Sequence, residues 1–267
     1  MIIIGEKVNG SIPKTGEAIA AKDAEYIREI ARKQTAAGSH YLDCCASVNE
    51  NELETVQWLI ELIQEESDLP ICIDSPNSQV CVDAMKFCKK PGIINSVSLE
   101  GDKIEVVFPV IADTEWGCIA LLCDDNGIPH DAAGRIEVFK KLMIRAEEYG
   151  IAPDRLYIDP LVETLGTNDQ SLLTFVEVCR AVKELYPDVH LTSGLSNISF
   201  GLPGRKMINI GFMVLAMNAG MDSAIIDPTN RDLLGVLFAT EALLGNDEYC
   251  MEFIGAFRQN LFGPIKS

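Results

Sequence analysis

Aspartate and asparagine side chains at the ends of short apolar runs are the groups in this sequence that could do chemistry. Asp43, Asp74, Asn95, Asp124, Asp159, Asn197 and Asp227 each close or follow such a run. A carboxylate accepts two parallel hydrogen bonds from an N–H beside an exocyclic NH₂, and an amide both donates and accepts. The set therefore suits a neutral, donor-rich ring held by its edge. A single Asp in such a place is equally a helix N-cap, and Asp74-Ser-Pro and Asp227-Pro have that form. Seven together exceed what capping requires. A metal site built from carboxylates is the alternative, but no His belongs to the set, and none of the three histidines shows a zinc-binding spacing.

The segment 191–203 concentrates these features. An apolar, strand-like start leads into Gly194, Ser196 and Asn197, and then into a Gly/Pro-rich loop that ends at Gly204. Asn197 could hold a heteroatom in either of two protonation states, because its amide donates and accepts. Taken alone it reads as a turn asparagine bonded to its own backbone. Its partners elsewhere in the chain change that reading.

Positioning so many strand-end groups together requires a particular architecture. Apolar strand patterns fall at 2–8, 40–46, 69–74, 93–98, 118–123, 156–160, 189–195 and 223–228, the first closing β-branched and short. Helical patterns fall between and after them, at 22–37, 51–66, 77–88, 103–113, 134–149, 168–185, 207–219 and 230–244. Residues 103–113 suit a strand as well, but the apolar run that follows at once favours helix. Eight strand–helix units without a linker or composition break predict one (β/α)8 TIM barrel over residues 1–267. The competing open sheet usually carries a Gly-rich phosphate turn after its first strand, and Gly5-Glu-Lys-Val-Asn-Gly10 is not one. In a barrel the C-terminal strand ends converge on one mouth, where such enzymes do their chemistry.

Composition narrows the partners. Forty acidic against 22 basic residues give a net charge of −18, which argues against nucleic acid or an anionic membrane as partner. Apolar residues make up 48% of the chain, enough for a full core. The nine cysteines form no CxxC pair and sit mostly in apolar runs, as reduced buried thiols do. The chain opens on Met1-Ile-Ile-Ile4 without a leader pattern, and its apolar runs are too short to span a membrane, so a cytoplasmic location is expected. Apolar residues at 214–217 suit core packing or a subunit contact equally, and a homodimer is expected.

Five stretches together carry a resemblance. Ile3-Ile-Gly-Glu-Lys-Val-Asn9, Ile73-Asp74-Ser, Asn95-Ser-Val-Ser, Tyr157-Ile-Asp159-Pro and Gly194-Leu-Ser-Asn-Ile-Ser-Phe-Gly201 resemble the pterin-binding methyltransferase family over essentially the whole chain. Its members move the methyl group of methyltetrahydrofolate to or from a corrinoid protein. The similarity is greatest to the stand-alone methyltetrahydrofolate:corrinoid protein methyltransferases of anaerobic bacteria. The resemblance implies that Asp74, Asn95 and Asp159 hydrogen-bond the pterin ring. Asn197 would approach N5, the nitrogen that carries the methyl, and Arg205 would contact the p-aminobenzoate end. Dihydropteroate synthases of the same fold group differ, with an Asn-Val-Thr-Pro-Asp-Ser-Phe type opening and a Ser-Arg-Lys motif after strand seven. This chain has Ser196-Asn197-Ile198 there, so a synthase is the weaker reading; the alternative is a non-catalytic folate-binding subunit that presents the pterin to a partner.

The resemblance also implies a substrate pair: (methyl)tetrahydrofolate, and a cobalamin-type corrinoid carried by a partner protein. Asp188-Val-His190-Leu-Thr-Ser193-Gly194 is similar to the DxHxxG of corrinoid-binding modules, but has one residue too many and runs into strand seven. His190 is therefore expected to open that strand. No His or Lys falls at the expected mouth, so Asn197 is expected to stabilise the protonated N5, with the proton coming from solvent.

Overall fold

The computed structural model describes residues 1–46 and 51–264. Eight parallel strands run β1 Ile2–Gly5, β2 Tyr41–Cys45, β3 Ile71–Asp74, β4 Ile93–Leu99, β5 Gly117–Asp124, β6 Leu156–Asp159, β7 His190–Leu191 and β8 Ser223–Ile226. They are hydrogen-bonded in the order β7-β6-β5-β4-β3-β2-β1-β8. The remaining seam closes where Asp222 N–H donates to Leu191 O at 3.2 Å and Ile225 N–H to Ser193 O at 3.0 Å. Gly194 and Ile225 pair across the same seam. The eight strands thus form the barrel expected of eight strand–helix units.

Ten α-helices surround it among the described residues: α1 Pro13–Ala20, α2 Ala24–Ala36, α3 Glu52–Glu66, α4 Ser78–Ala84, α5 Lys103–Ile111, α6 Ala132–Glu148, α7 Ser171–Leu185, α8 Arg205–Asn218, α9 Arg231–Leu243 and α10 Met251–Arg258. Eight match the expected helices, and the ambiguous 103–113 segment is indeed helical. Their starts follow side-chain chemistry. Asp23, Asn77, Asp131 and Asn230 each accept a backbone N–H of the first turn. Since Asn77 and Asn230 do the capping, neither Asp74 nor Asp227 is needed for it.

Four segments depart from the sequence reading. β1 ends at Gly5, after which the chain swings out and returns at Asn9 beside Cys45. β7 keeps regular pairing for two residues only. α1 and α10 lie outside any expected element. Pro13 starts α1, whose Thr15 hydroxyl donates to Lys7 O at 3.0 Å. α10 is held by Phe262, whose ring packs on Phe253 and Phe257, with Phe238 of α9 on its other side.

The core has two layers. Between strands and helices lies one large apolar cluster that includes Phe108, Phe139 and Phe175. Inside the barrel lies a smaller one of Ile4, Cys72, Ile93, Ile119 and Tyr157, with Ile2, Tyr41, Leu121 and Ile225 against it. Side chains alternate across a strand, so the residue two positions further on points into the barrel again. Ile4, Tyr41, Cys72, Ile93, Tyr157 and Ile225 are followed in this way by Glu6, Asp43, Asp74, Asn95, Asp159 and Asp227. The apolar plug thereby supports a layer of carboxyl and amide groups at the C-terminal strand ends.

Candidate active site

Above that layer opens a cleft of about 820 Å³, walled by the ends of β1, β2, β3 and β8 and by the segment leading into α8. Glu6, Asp43, Asp74, Asn197, Arg205 and Asn209 all line it. A second cavity, of about 680 Å³, lies at the opposite end among Met1, His40, His190 and Asp222. Barrel chemistry sits at C-terminal strand ends, and the polar layer is there. The mouth is therefore the candidate site.

Asp43 and Asp74 are neighbours on adjacent strands. Burial, reinforced by Asp74, pushes the Asp43 carboxyl well above the usual carboxylate range. Asn9, Asn95 and the Cys72 thiol bond to it and oppose that rise. Even so, Asp43 Oδ1 is buried with no hydrogen-bond partner among the described residues. Burial raises Asp74 to about 6, with Glu52 adding to the rise and a Cys45 hydrogen bond opposing it. Two close carboxyls withdrawn from solvent resist double ionisation, and ring N–H donors would relieve both. Asn209 Oδ1, from α8, is a second buried acceptor without a partner among the described residues. A donor-rich ring edge fits such orphaned acceptors.

Asp159 stands back from the cleft wall. Leu161 N–H donates to its Oδ1 at 2.8 Å. Burial raises its carboxyl to about 6, against hydrogen bonds from the Leu161 and Gly194 backbone and the charge of Arg135. Arg135 comes from α6 and is completely buried. Its guanidinium donates to Pro160 O at 2.8 Å and Leu161 O at 2.6 Å, and pairs with Glu163 at 3.0 Å. One arginine thus clamps the backbone that leaves Asp159.

The exit of β7 is a short 3₁₀ turn, Leu195–Ser199. Asn197 N–H donates to Gly194 O at 3.1 Å, and the exposed side-chain amide makes no hydrogen bond among the described residues. A Cβ on Gly194 would come within 3.0 Å of Asn197 Nδ2, so glycine permits this approach. Arg205, at the first turn of α8, donates to Ser199 Oγ at 3.0 Å and Ser196 O at 2.9 Å. Its guanidinium also lies 4.9 Å from the centre of the Phe200 ring. Arg205 therefore secures the turn carrying Asn197 while presenting a charge to the mouth.

Of the five site residues the sequence singled out, Asp74, Asn197 and Arg205 line the cleft directly. Asn95 reaches it through Asp43, and Asp159 through Gly194. One expectation is corrected: lysines do stand at the mouth. Lys7 pairs with Asp227 at 2.9 Å, and Lys206 pairs with Asp232. The sequence pattern hides them, because Lys7 falls inside a longer apparent first strand and Lys206 falls in a loop before the apparent helix at 207. Glu6, Asn209 and Arg135 were also missed. His190 does open β7, stacked on Tyr157 at 4.7 Å and 3.2 Å from Asp222, far from the mouth. None of the nine cysteines is joined in a disulfide, and only Cys250 is exposed. Among the described residues no group of three or more His, Cys, Asp and Glu is arranged to hold a metal ion, and no helix is long and apolar enough to cross a membrane.

Comparison with known proteins places this geometry. Residues 10–227 match the model of the pterin binding enzymes, and the chain belongs to that family. It is 47% identical, over the full length of both proteins, to the methylcorrinoid:tetrahydrofolate methyltransferase of Eubacterium limosum. It is 31% identical to the methionine synthase of Mycobacterium tuberculosis over 86% of this chain, a match that covers 21% of that longer protein. Among solved structures, dihydropteroate synthase of Clostridium difficile, determined with pteroic acid, superposes with a TM-score of 0.70. That match has 19% identity and covers 91% of this chain and 96% of the other. It shows a shared barrel fold.

Proposed function

We propose that this protein moves a methyl group between N5 of tetrahydrofolate and the cobalt of a corrinoid carried by a separate protein. The observation that carries the reading is the layer of carboxyl and amide groups at the mouth, with the unengaged Asn197 amide at its rim. The full-length relative supports it, and that relative's name favours methyl flow from the corrinoid to tetrahydrofolate.

In this reading Asp43, Asp74, Asn95 and Asp159 orient the pterin by its donor edge, an ordering effect that lowers the barrier without touching the methyl. Asn197 hydrogen-bonds N5 as its charge changes, and Arg205 meets the p-aminobenzoate end. The corrinoid supplies or accepts the methyl at the open mouth. The whole chain works as one barrel domain, and it works in the cytoplasm without nucleic acid, in keeping with its charge of −18. Exposed Leu173, Leu215 and Leu243, on the consecutive helices α7, α8 and α9, offer a surface for a homodimer.

The test is anaerobic transfer from methyltetrahydrofolate to free cob(I)alamin, followed by loss of the Co(I) absorbance, in wild type and Asn197→Ala. Wild type should turn over. Asn197→Ala should be about 10²–10³ slower, the usual effect of removing one transition-state hydrogen bond, with little change in folate affinity. Folate binding without turnover, even with a corrinoid protein supplied, would make this a folate-binding subunit instead.

A further inference from the structure

Methyl transfer at N5 needs a proton balance that the Asn197 amide does not provide. When tetrahydrofolate takes the methyl, the N5 lone pair forms the new C–N bond and the Co–C bonding pair stays on the metal. N5 is then left with its original hydrogen and a positive charge, and that proton must leave. In the opposite direction N5 must gain a proton before the C–N bond breaks, and the C–N pair then returns to N5. Asn197 cannot do this, since an amide neither gives up nor takes a proton near neutral pH.

The structure assigns this exchange to Glu6: its carboxylate takes the N5 proton as the methyl arrives, and its carboxylic acid returns it in the reverse reaction. The inference rests on the methyltransferase reading above. Four observations single out Glu6. It lines the same cleft as Asn197. It lies beside the right strands: Glu6 N–H donates to Ile226 O at 2.9 Å, and the preceding Ile225 pairs with Gly194, three residues before Asn197. Arg205 ties the two sides, because its charge acts on Glu6 while its guanidinium holds Ser196 O. Finally, the Glu6 carboxyl makes no hydrogen bond or ion pair among the described residues, although it is half-buried.

The other ionisable groups at the mouth belong to the ring-binding layer or to ion pairs. Asp159 holds two backbone N–H groups, and Asp43 and Asp74 face each other and bond to neighbouring side chains. Lys7 is paired with Asp227 and Lys206 with Asp232. The charges that act on Glu6 are Asp227 beyond β8, Lys7 on its own segment and Arg205 on α8; Asp43 and Asp74 line the same cleft. Burial first, then Asp227, raises the Glu6 carboxyl to about 7, while Lys7 and Arg205 oppose the rise. A group that ionises there can both accept and donate at neutral pH.

The test uses the full chain with free cobalamin in both directions over a range of pH. Wild-type transfer from methyltetrahydrofolate to cob(I)alamin should slow as pH rises through about 7, because the acid form is needed. Transfer from methylcob(III)alamin to tetrahydrofolate should quicken through the same interval. Glu6→Gln should flatten both profiles and slow both reactions by about 10²-fold or more, with folate affinity within about threefold, the variability expected of single contacts. A Gln variant that keeps the wild-type inflections, or whose slowing is matched by an equal loss of folate affinity, would overturn the assignment. Should that variant not fold, Glu6→Asp decides. Withdrawing the carboxyl by one methylene should move the inflection and slow transfer by about 10–100-fold, and an unmoved profile overturns the assignment. Wild type that binds folate but transfers no methyl, even with a corrinoid protein, overturns the methyltransferase reading and this inference together. That pattern cannot be confused with a failure of Glu6 alone.

Discussion

Asp159→Asn should make the protein more stable and a poorer folate binder, and its magnitude follows from burial. The Asp159 carboxyl is pushed from an ordinary 3.8 to about 6, chiefly because it is buried. At about 1.4 kcal/mol per pH unit this is about 3 kcal/mol of free energy that ionisation costs the folded state. Below the unfolded-state value both states are protonated and nothing is lost. As pH rises the unfolded chain ionises first, so stability falls until the folded carboxyl has ionised as well. The loss is complete only above about 6. Asparagine resembles the protonated acid in shape and charge and keeps an acceptor for the Leu161 and Gly194 N–H groups. The variant should therefore exceed wild type by about 2–3 kcal/mol at pH 7.5, with about 2 kcal/mol of that difference acquired above pH 4.5. Urea unfolding of both proteins at pH 4.5, 6 and 7.5 measures this directly. Folate affinity, by calorimetry, should fall by about 10–100-fold, because a charge-assisted hydrogen bond is worth about 1.5–3 kcal/mol. A variant less stable than wild type at pH 7.5, or a stability difference independent of pH, would refute the argument from burial. Unchanged folate affinity would remove Asp159 from the ring-binding set.

Arg135→Met should cost about 2–4 kcal/mol in urea unfolding, because it leaves the Pro129, Pro160 and Leu161 carbonyls without their donor. Gly194→Ala should leave the fold intact yet slow methyl transfer by about 10–100-fold, since its Cβ would crowd Asn197 Nδ2 at 3.0 Å; activity and circular dichroism together check it. A thiol reagent should label Cys250 rapidly in the native protein. The buried cysteines should react only on unfolding, apart from half-buried Cys88, where burial raises the thiol to about 12.

The barrel is legible in the sequence because parallel strands buried on both faces read as apolar runs, and each is followed by a helix with one apolar side. What escapes lies where tertiary contacts replace local pattern. α1 has a Gly within it and relies on Pro13 at its start and on Thr15 bonding to Lys7 O. α10 depends on Phe262, beyond its own end, to fill the space against α9. The apolar pattern extends β7 over seven residues, 189–195. Beyond Leu191 its backbone bonds on irregularly, Thr192 N–H to Ile158 O and Ser193 O to Ile225 N–H.

The strand-end residues show how one boundary error hides a functional group. Asp74, Asn95 and Asp159 were found because the apolar runs before them stop where the strands stop, or because their polarity interrupts the run. Ile2 to Val8 looks like one continuous strand, so Glu6 and Lys7 were read as interior to it rather than as its exit. The corrective was in the sequence. Interior barrel residues recur every second position, and the one that follows Ile4 is Glu6, as Asp74 follows Cys72 and Asp159 follows Tyr157. A glutamate in an inward position must stand either in an apolar core, which its charge forbids, or at the mouth. The strand therefore had to end before Glu6, and ending it there places a sixth ionisable or amide group in the same layer. Arg135 offered no such clue. An arginine early in an amphipathic helix looks solvent-exposed, and only the loop folding back after Asp159 shows that its guanidinium is buried and bonded to three carbonyls.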